Sequence, residues 1–156
     1  YGEAVLSAYR STNLLSPFEK TRLQTLLRGS AADEFVQAAA AFANGDMKQP
    51  LAVMKSLLKP HDSAKWTVVT YLPFLWRPDV HFFLKPTMMR DFAERVGHRF
   101  HEVYSPDLDL STYEALLNMA EETRRETGDL QPTDLIDIQS FMWTAVEYKE
   151  GDRPDE

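Results

Sequence analysis

The stretch His98-Arg99-Phe100-His101-Glu102, with Asp107 and Asp109 close behind, gathers the side-chain types that hold a divalent metal. Imidazoles and carboxylates make such a site only when three or four of them converge on one point. Positions three apart face opposite sides of a strand, whereas a helix would align His98 with His101 and Glu102. Gly97 and the aromatic alternation favour a strand, so the histidines read first as a partly exposed strand face. His98, His101 and Asp107 are the candidate metal ligands. His61-Asp62 and His81 have less support, and no metal or other cofactor is expected.

Pro106-Asp107, followed much later by Glu147-Tyr148-Lys149, resembles the PD…ExK pattern of metal-dependent nucleases. The resemblance implies carboxylates holding Mg²⁺ against a scissile phosphate and a lysine that positions water or stabilises charge. That family carries the residues at a strand end and on the adjoining strand. Here Asp107 precedes a helix-start signal and Glu147 ends a helix, so a loop aspartate and a solvated helix end compete with it. A metal-dependent hydrolase or nuclease is the third functional reading.

Asp134 and Asp137 stand at the head of the last helix, where negative charge complements the exposed N–H groups and explains the pair as caps. Gln139 and Ser140 follow, off the stripe of Leu135, Ile138 and Met142, either exposed or satisfied within an interface. No phosphate loop, dinucleotide glycine fingerprint, Gly-x-Ser-x-Gly elbow or HExxH occurs. The absence of cysteine removes thiol nucleophiles, disulfides and cysteine-held metals, and fits a cytoplasmic protein. No catalytic residue is assigned.

Cations and flat rings interleave over residues 48–99. Lys48, Lys55, Lys59, Lys65, Arg77, Lys85, Arg90, Arg95 and Arg99 alternate with Trp66, Tyr71, Trp76, Phe82 and Phe83. Nucleic-acid binders use this chemistry, and Lys85-Pro86-Thr87 before a helix suits an anion. Against it stand the acids of the same segment and a pI of about 5.1. Residues 1–100 hold 13 Lys/Arg and 9 Asp/Glu while residues 101–156 hold 4 and 15, which divides the net charge of −7 into a basic body and an acidic end. A nucleic-acid-contacting accessory domain is the runner-up. The favoured reading is a non-catalytic protein-interaction or regulatory module whose surface is built on Lys65, Trp76, Arg77 and Lys85, with Trp76 exposed between two prolines.

These side chains need elements to position them. Ser16-Pro17-Phe18-Glu19 is a capping box with proline at the first helical position, and Leu23, Leu26 and Leu27 continue the stripe to Gly29. Ser30 and Asp33 predict a second start, ahead of Phe35, Val36, Ala39 and Phe42. Residues 48–59 make a further helix, and residues 3–10 another. From Lys65 the character changes. The β-branched and aromatic runs 66–72 and 80–84, bounded by Pro73, Pro78 and Pro86, predict strands, and 99–104 a third one. Residues 87–96 are helical up to Gly97. Ser111-Thr112-Tyr113-Glu114 is a second capping box before a helix to Gly128, and a last helix follows Pro132-Thr133-Asp134.

The fold expected from this is α+β and predominantly α-helical, about six helices with a small two- or three-stranded sheet. It forms one globular domain over residues 1–149, followed by a disordered acidic tail at 150–156. No run of about 18 apolar residues is present, so no membrane contact is expected. The chain starts at Tyr1 without an initiator Met, from which a piece of a longer protein is expected. The blocks 66–75, 81–86 and 132–143 resemble segments of a bacterial protein family of unassigned activity, which implies a bacterial source and no function.

Overall fold

A computed structural model describes residues 2–147. Among the described residues there are nine α-helices and no strand. They are α1 Gly2–Ser11, α2 Pro17–Leu27, α3 Ala32–Ala43, α4 Lys48–Leu58, α5 Trp66–Trp76, α6 Pro86–Val96, α7 Phe100–Val103, α8 Leu110–Glu126 and α9 Leu135–Glu147. Single 3-10 turns at Lys59–His61 and Gly128–Leu130 complete them. The protein is therefore all-α, and the expected small sheet is absent from the described residues. The expected acidic tail, 150–156, lies outside them.

All three expected strands fail, each for its own reason. Residues 66–72 belong to α5, eight of whose residues are buried: Trp66, Val68, Val69, Thr70, Tyr71, Leu72, Pro73 and Phe74. Before its exposed end at Leu75 and Trp76 the helix is buried at every position but Thr67 and carries no polar face, so periodicity cannot distinguish it from a buried strand, and burial overrides β-propensity. Pro73 is tolerated within its last turns, and the Arg77 N–H closes on the Pro73 carbonyl at 2.8 Å. Of residues 99–104, Phe100–Val103 form the short helix α7 between Arg99 and Tyr104, after Gly97 has ended α6 in a left-handed conformation at φ 71°.

Residues 80–84 form neither strand nor helix. Backbone N–H groups here are met by side chains and by the preceding turn instead of a neighbouring strand. Phe82 N–H donates to Tyr113 Oη at 3.2 Å and Leu84 N–H to Thr70 Oγ1 at 3.0 Å. His81 N–H closes on the Arg77 carbonyl at 2.8 Å. With these groups paired, Phe82, Phe83 and Leu84 sit fully buried without a ladder.

Helix starts are right in part. The box at Ser16 closes on both arms, Glu19 N–H to Ser16 Oγ at 3.3 Å and Ser16 N–H to Glu19 Oε2 at 2.7 Å. At α8 the cap is Asp109, which accepts from Ser111 N–H at 2.8 Å, so the box expected at Ser111 does not form. The start expected at Ser30 is displaced as well, since Ala31 precedes α3 without a side-chain cap.

Buried apolar side chains from α1 to α9 make one contiguous cluster. α3 packs on α4 and α5, α1 on α2, and α6 on α9. The aromatic residues of the core also carry polar handles. Tyr9 Oη donates to the Val68 carbonyl at 2.8 Å, Tyr71 Oη to the Ala8 carbonyl at 3.2 Å, and Trp66 Nε1 to the Ser105 carbonyl at 2.8 Å. The Leu135 N–H bonds the Pro78 carbonyl at 2.9 Å, which fixes the head of α9 to the loop that follows α5. No helix among the described residues is long and apolar enough to cross a membrane.

Candidate functional site

The histidines divide between structural pairing and plain exposure. His81 is buried, with Nε2 at 2.9 Å from the Ala43 carbonyl and Nδ1 at 2.8 Å from Tyr113 Oη. A carbonyl only accepts, so the geometry assigns the proton to Nε2, and Nδ1 accepts from the Tyr113 hydroxyl. That hydroxyl in turn accepts from Phe82 N–H. Burial lowers the His81 pKa below its ordinary 6.5, because a charged ring there would be desolvated. Burial also holds the Tyr113 phenol protonated, with its pKa far above the ordinary range.

The candidate metal ligands are not brought together. His98 Nδ1 accepts from Phe100 N–H at 3.0 Å and Nε2 faces Asn118 Oδ1 at 2.9 Å, so both ring nitrogens are occupied and no lone pair is left for an ion. His101 is partly exposed beside Glu102 at 3.9 Å. Asp107 is exposed in the loop before α8. Among the described residues no three His, Asp or Glu side chains converge. The nuclease-like pattern meets the same difficulty, with Asp107 on a loop, Glu147 at the end of α9 and no sheet to carry them. Tyr148 and Lys149 lie outside the described residues. Asp134 and Asp137 act as caps: Asp134 Oδ1 accepts from Ile136 N–H at 2.9 Å and Asp137 Oδ2 from Thr133 N–H at 2.8 Å.

Of the basic and aromatic segment, the rings are mostly withdrawn. Trp66, Tyr71, Phe82 and Phe83 are core residues with no face to offer a base, while Trp76 is 43% exposed. Several cations are engaged internally. Arg77 makes a two-pronged pair with Asp79 at 3.0 and 3.1 Å, which pushes the Asp79 pKa down and the Arg77 pKa up. Arg90 stands over Tyr104, and Arg95 donates to the Ala145 carbonyl at 2.9 Å. Of the four expected surface residues, Trp76 and Arg77 adjoin at the end of α5. Lys65 precedes the other end of that helix, about 15 Å away by helix rise. Lys85 turns towards α9, its ammonium 4.5 Å from the centre of the Trp143 ring.

α9 runs between two depressions. On one side, a cleft of about 1010 Å³ is walled by Phe92 of α6, Phe141 of α9 and the His98–Asn118–Glu122 row. Its charged rim mixes Arg99 and Arg125 with Glu122 and Glu126, so it has no preferred sign. On the other side, a groove of about 470 Å³ is bounded by Leu14, Phe74, Lys85, Ile136, Gln139 and Trp143. Gln139 lines this groove, and its Oε1 is buried beneath the surface with no hydrogen-bond partner, the one such side-chain atom among the described residues.

Gln139, expected off the apolar stripe and either exposed or satisfied, is instead buried and unpaired, and Trp143 carried no expectation, although a signal existed. Gln139 stands one turn after Leu135, on the inward face of α9, where a glutamine must either be paired or remain an open acceptor. Tyr113 was equally hidden, read only as part of a helix start. No family model matches the chain, and neither a curated protein nor a solved structure matches it.

Proposed function

We propose that this chain is a non-catalytic interaction module that binds another protein where the end of α5, the 77–85 loop and α9 meet. One observation carries this: Leu75, Trp76, Val80, Ile136 and Trp143 are each between 40% and 46% exposed, on segments that the Leu135–Pro78 hydrogen bond holds against each other. Single exposed apolar residues are ordinary, whereas two tryptophans and three aliphatics on adjoining segments suit a partner surface. The withdrawal of the other rings into the core argues against stacking on nucleic acid. The lack of cysteine is compatible with a cytoplasmic setting.

The test is a random-peptide selection on the folded chain, followed by affinity measurement on a Trp76→Ser/Ile136→Ser double variant. Selected peptides are expected to bind the variant at least tenfold more weakly while its circular dichroism stays unchanged. Equal binding to both proteins, or no enrichment over a carrier control, overturns the proposal.

A further inference from the structure

The loop between α3 and α4 opens on Asn44-Gly45, the one asparagine–glycine pair in the chain. An asparagine side chain holds an amide carbon on which the next residue's backbone nitrogen can close a five-membered ring, and a following glycine has no Cβ to obstruct that approach. Both residues are exposed. Gly45 stands at φ 109°, and no atom beyond its chain neighbours lies within 4 Å of where a Cβ would be. As folded, Asn44 has ψ 6°, which turns the Gly45 nitrogen away from the side-chain carbon. Rotating it into reach breaks the hydrogen bond from Gly45 N–H to the Phe42 carbonyl, 3.2 Å long and at the end of α3, where helices open most readily. Gly45 absorbs the compensating turn without a steric penalty. Asn13 and Asn118 are also exposed, but leucine and methionine follow them, and Asn118 lies inside α8.

We propose that Asn44 is a site of spontaneous covalent modification in the folded chain, with water as the only co-reactant. The Gly45 amide gives its proton to solvent base and its nitrogen bonds to Asn44 Cγ. The bond from Cγ to the side-chain nitrogen breaks, and that nitrogen leaves as ammonia. Water then opens the resulting succinimide. Cleavage of the ring bond to Cγ yields aspartate, and cleavage at the main-chain carbonyl yields isoaspartate, with the chain rerouted through Cγ. Either product sets a carboxylate at the C-terminal end of α3, where the last carbonyls already give a negative potential and Asp46 is close in sequence. The new charge also adjoins Ala43, whose carbonyl closes on His81 Nε2. A neutral surface residue thus becomes an anion that acts on the buried histidine, and the modified fraction records the age of the molecule.

The experiment incubates the full chain in neutral and mildly alkaline buffers and follows all three asparagines by peptide mapping with mass spectrometry. Asn44 is expected to convert at least tenfold faster than Asn13 and Asn118, with isoaspartate exceeding aspartate. Its rate should climb close to tenfold per pH unit, because the attacking species is the deprotonated amide. Hydroxylamine added during the reaction should cleave the chain after residue 44 by trapping the succinimide. Asn44→Gln, whose side chain is one carbon too long for that ring, is expected to stay unmodified and to melt with the fresh native chain. The aged native chain should melt about 2 °C or more lower. An intact Asn44 in the folded chain, while a free peptide of residues 41–48 converts, would show that the helix end stays shut and overturns the proposal. Aspartate as the sole product, or a rate indifferent to pH, overturns the ring route. An aged chain that melts with the fresh one overturns the action on His81.

Discussion

Two buried polar side chains receive opposite treatment. At His81 every hydrogen-bonding group is closed: Nε2–H on the Ala43 carbonyl, the Tyr113 O–H on Nδ1, and Phe82 N–H on Tyr113 Oη. At Gln139 an equally enclosed amide oxygen has no donor at all. Identity of residue type would have ranked them the other way, since histidine is the more common catalytic residue. The contrast shows that completeness of pairing, and not residue type, separates a settled buried polar group from an unfinished one.

Changes at the closed site should therefore cost stability, and those at the open one should not. Tyr113→Phe has the largest expected effect, because it leaves both His81 Nδ1 and Phe82 N–H without partners. A loss of about 3 kcal/mol is expected, or about 6–12 °C in melting temperature for a chain of this size. An unchanged melting curve would show that the pairing is dispensable. Thr70→Val keeps the shape and removes the acceptor of Leu84 N–H, so about 1–2 kcal/mol should be lost by denaturant titration.

Acid sharpens the comparison next. The folded-state pKa of His81 lies below its ordinary 6.5, so the unfolded chain takes up the proton first. The stabilising contribution is thus present above about pH 6.5 and fades as pH falls through the depressed value. Denaturation midpoints of the native chain should decline over that window, and His81→Gln should flatten the decline. An identical pH profile in the variant would exclude His81 as its source. The smallest effect belongs to Gln139→Leu, expected to raise stability by about 1 kcal/mol or less, since it removes an unpaired buried acceptor. A clear loss of stability on that change would mean that Gln139 is already satisfied, and the comparison would collapse.

The helices with one apolar stripe and a local start signal were legible in the chain. The Ser16 box and the Asp134/Asp137 caps work because capping is decided within four residues. The middle was not legible, because its conformation is decided by distant partners. Nothing near Phe82 announces that a tyrosine 31 residues later accepts its N–H, and nothing in 66–72 distinguishes an enclosed helix from an enclosed strand. The candidate groove was half visible: Lys85 was named and Gln139 was noted without a role, while Trp143 was not singled out. Their convergence follows only from the docking of α9 on the loop at Pro78.

That middle segment has a consequence for the order in which the molecule can be made. A ribosome delivers Phe82 and Leu84 well before Tyr113, so a nascent chain ending ahead of α8 holds the acceptor for one of those amides and lacks the other. Final settling of the interior waits on α8, and the first hundred residues leave synthesis with their centre unfinished.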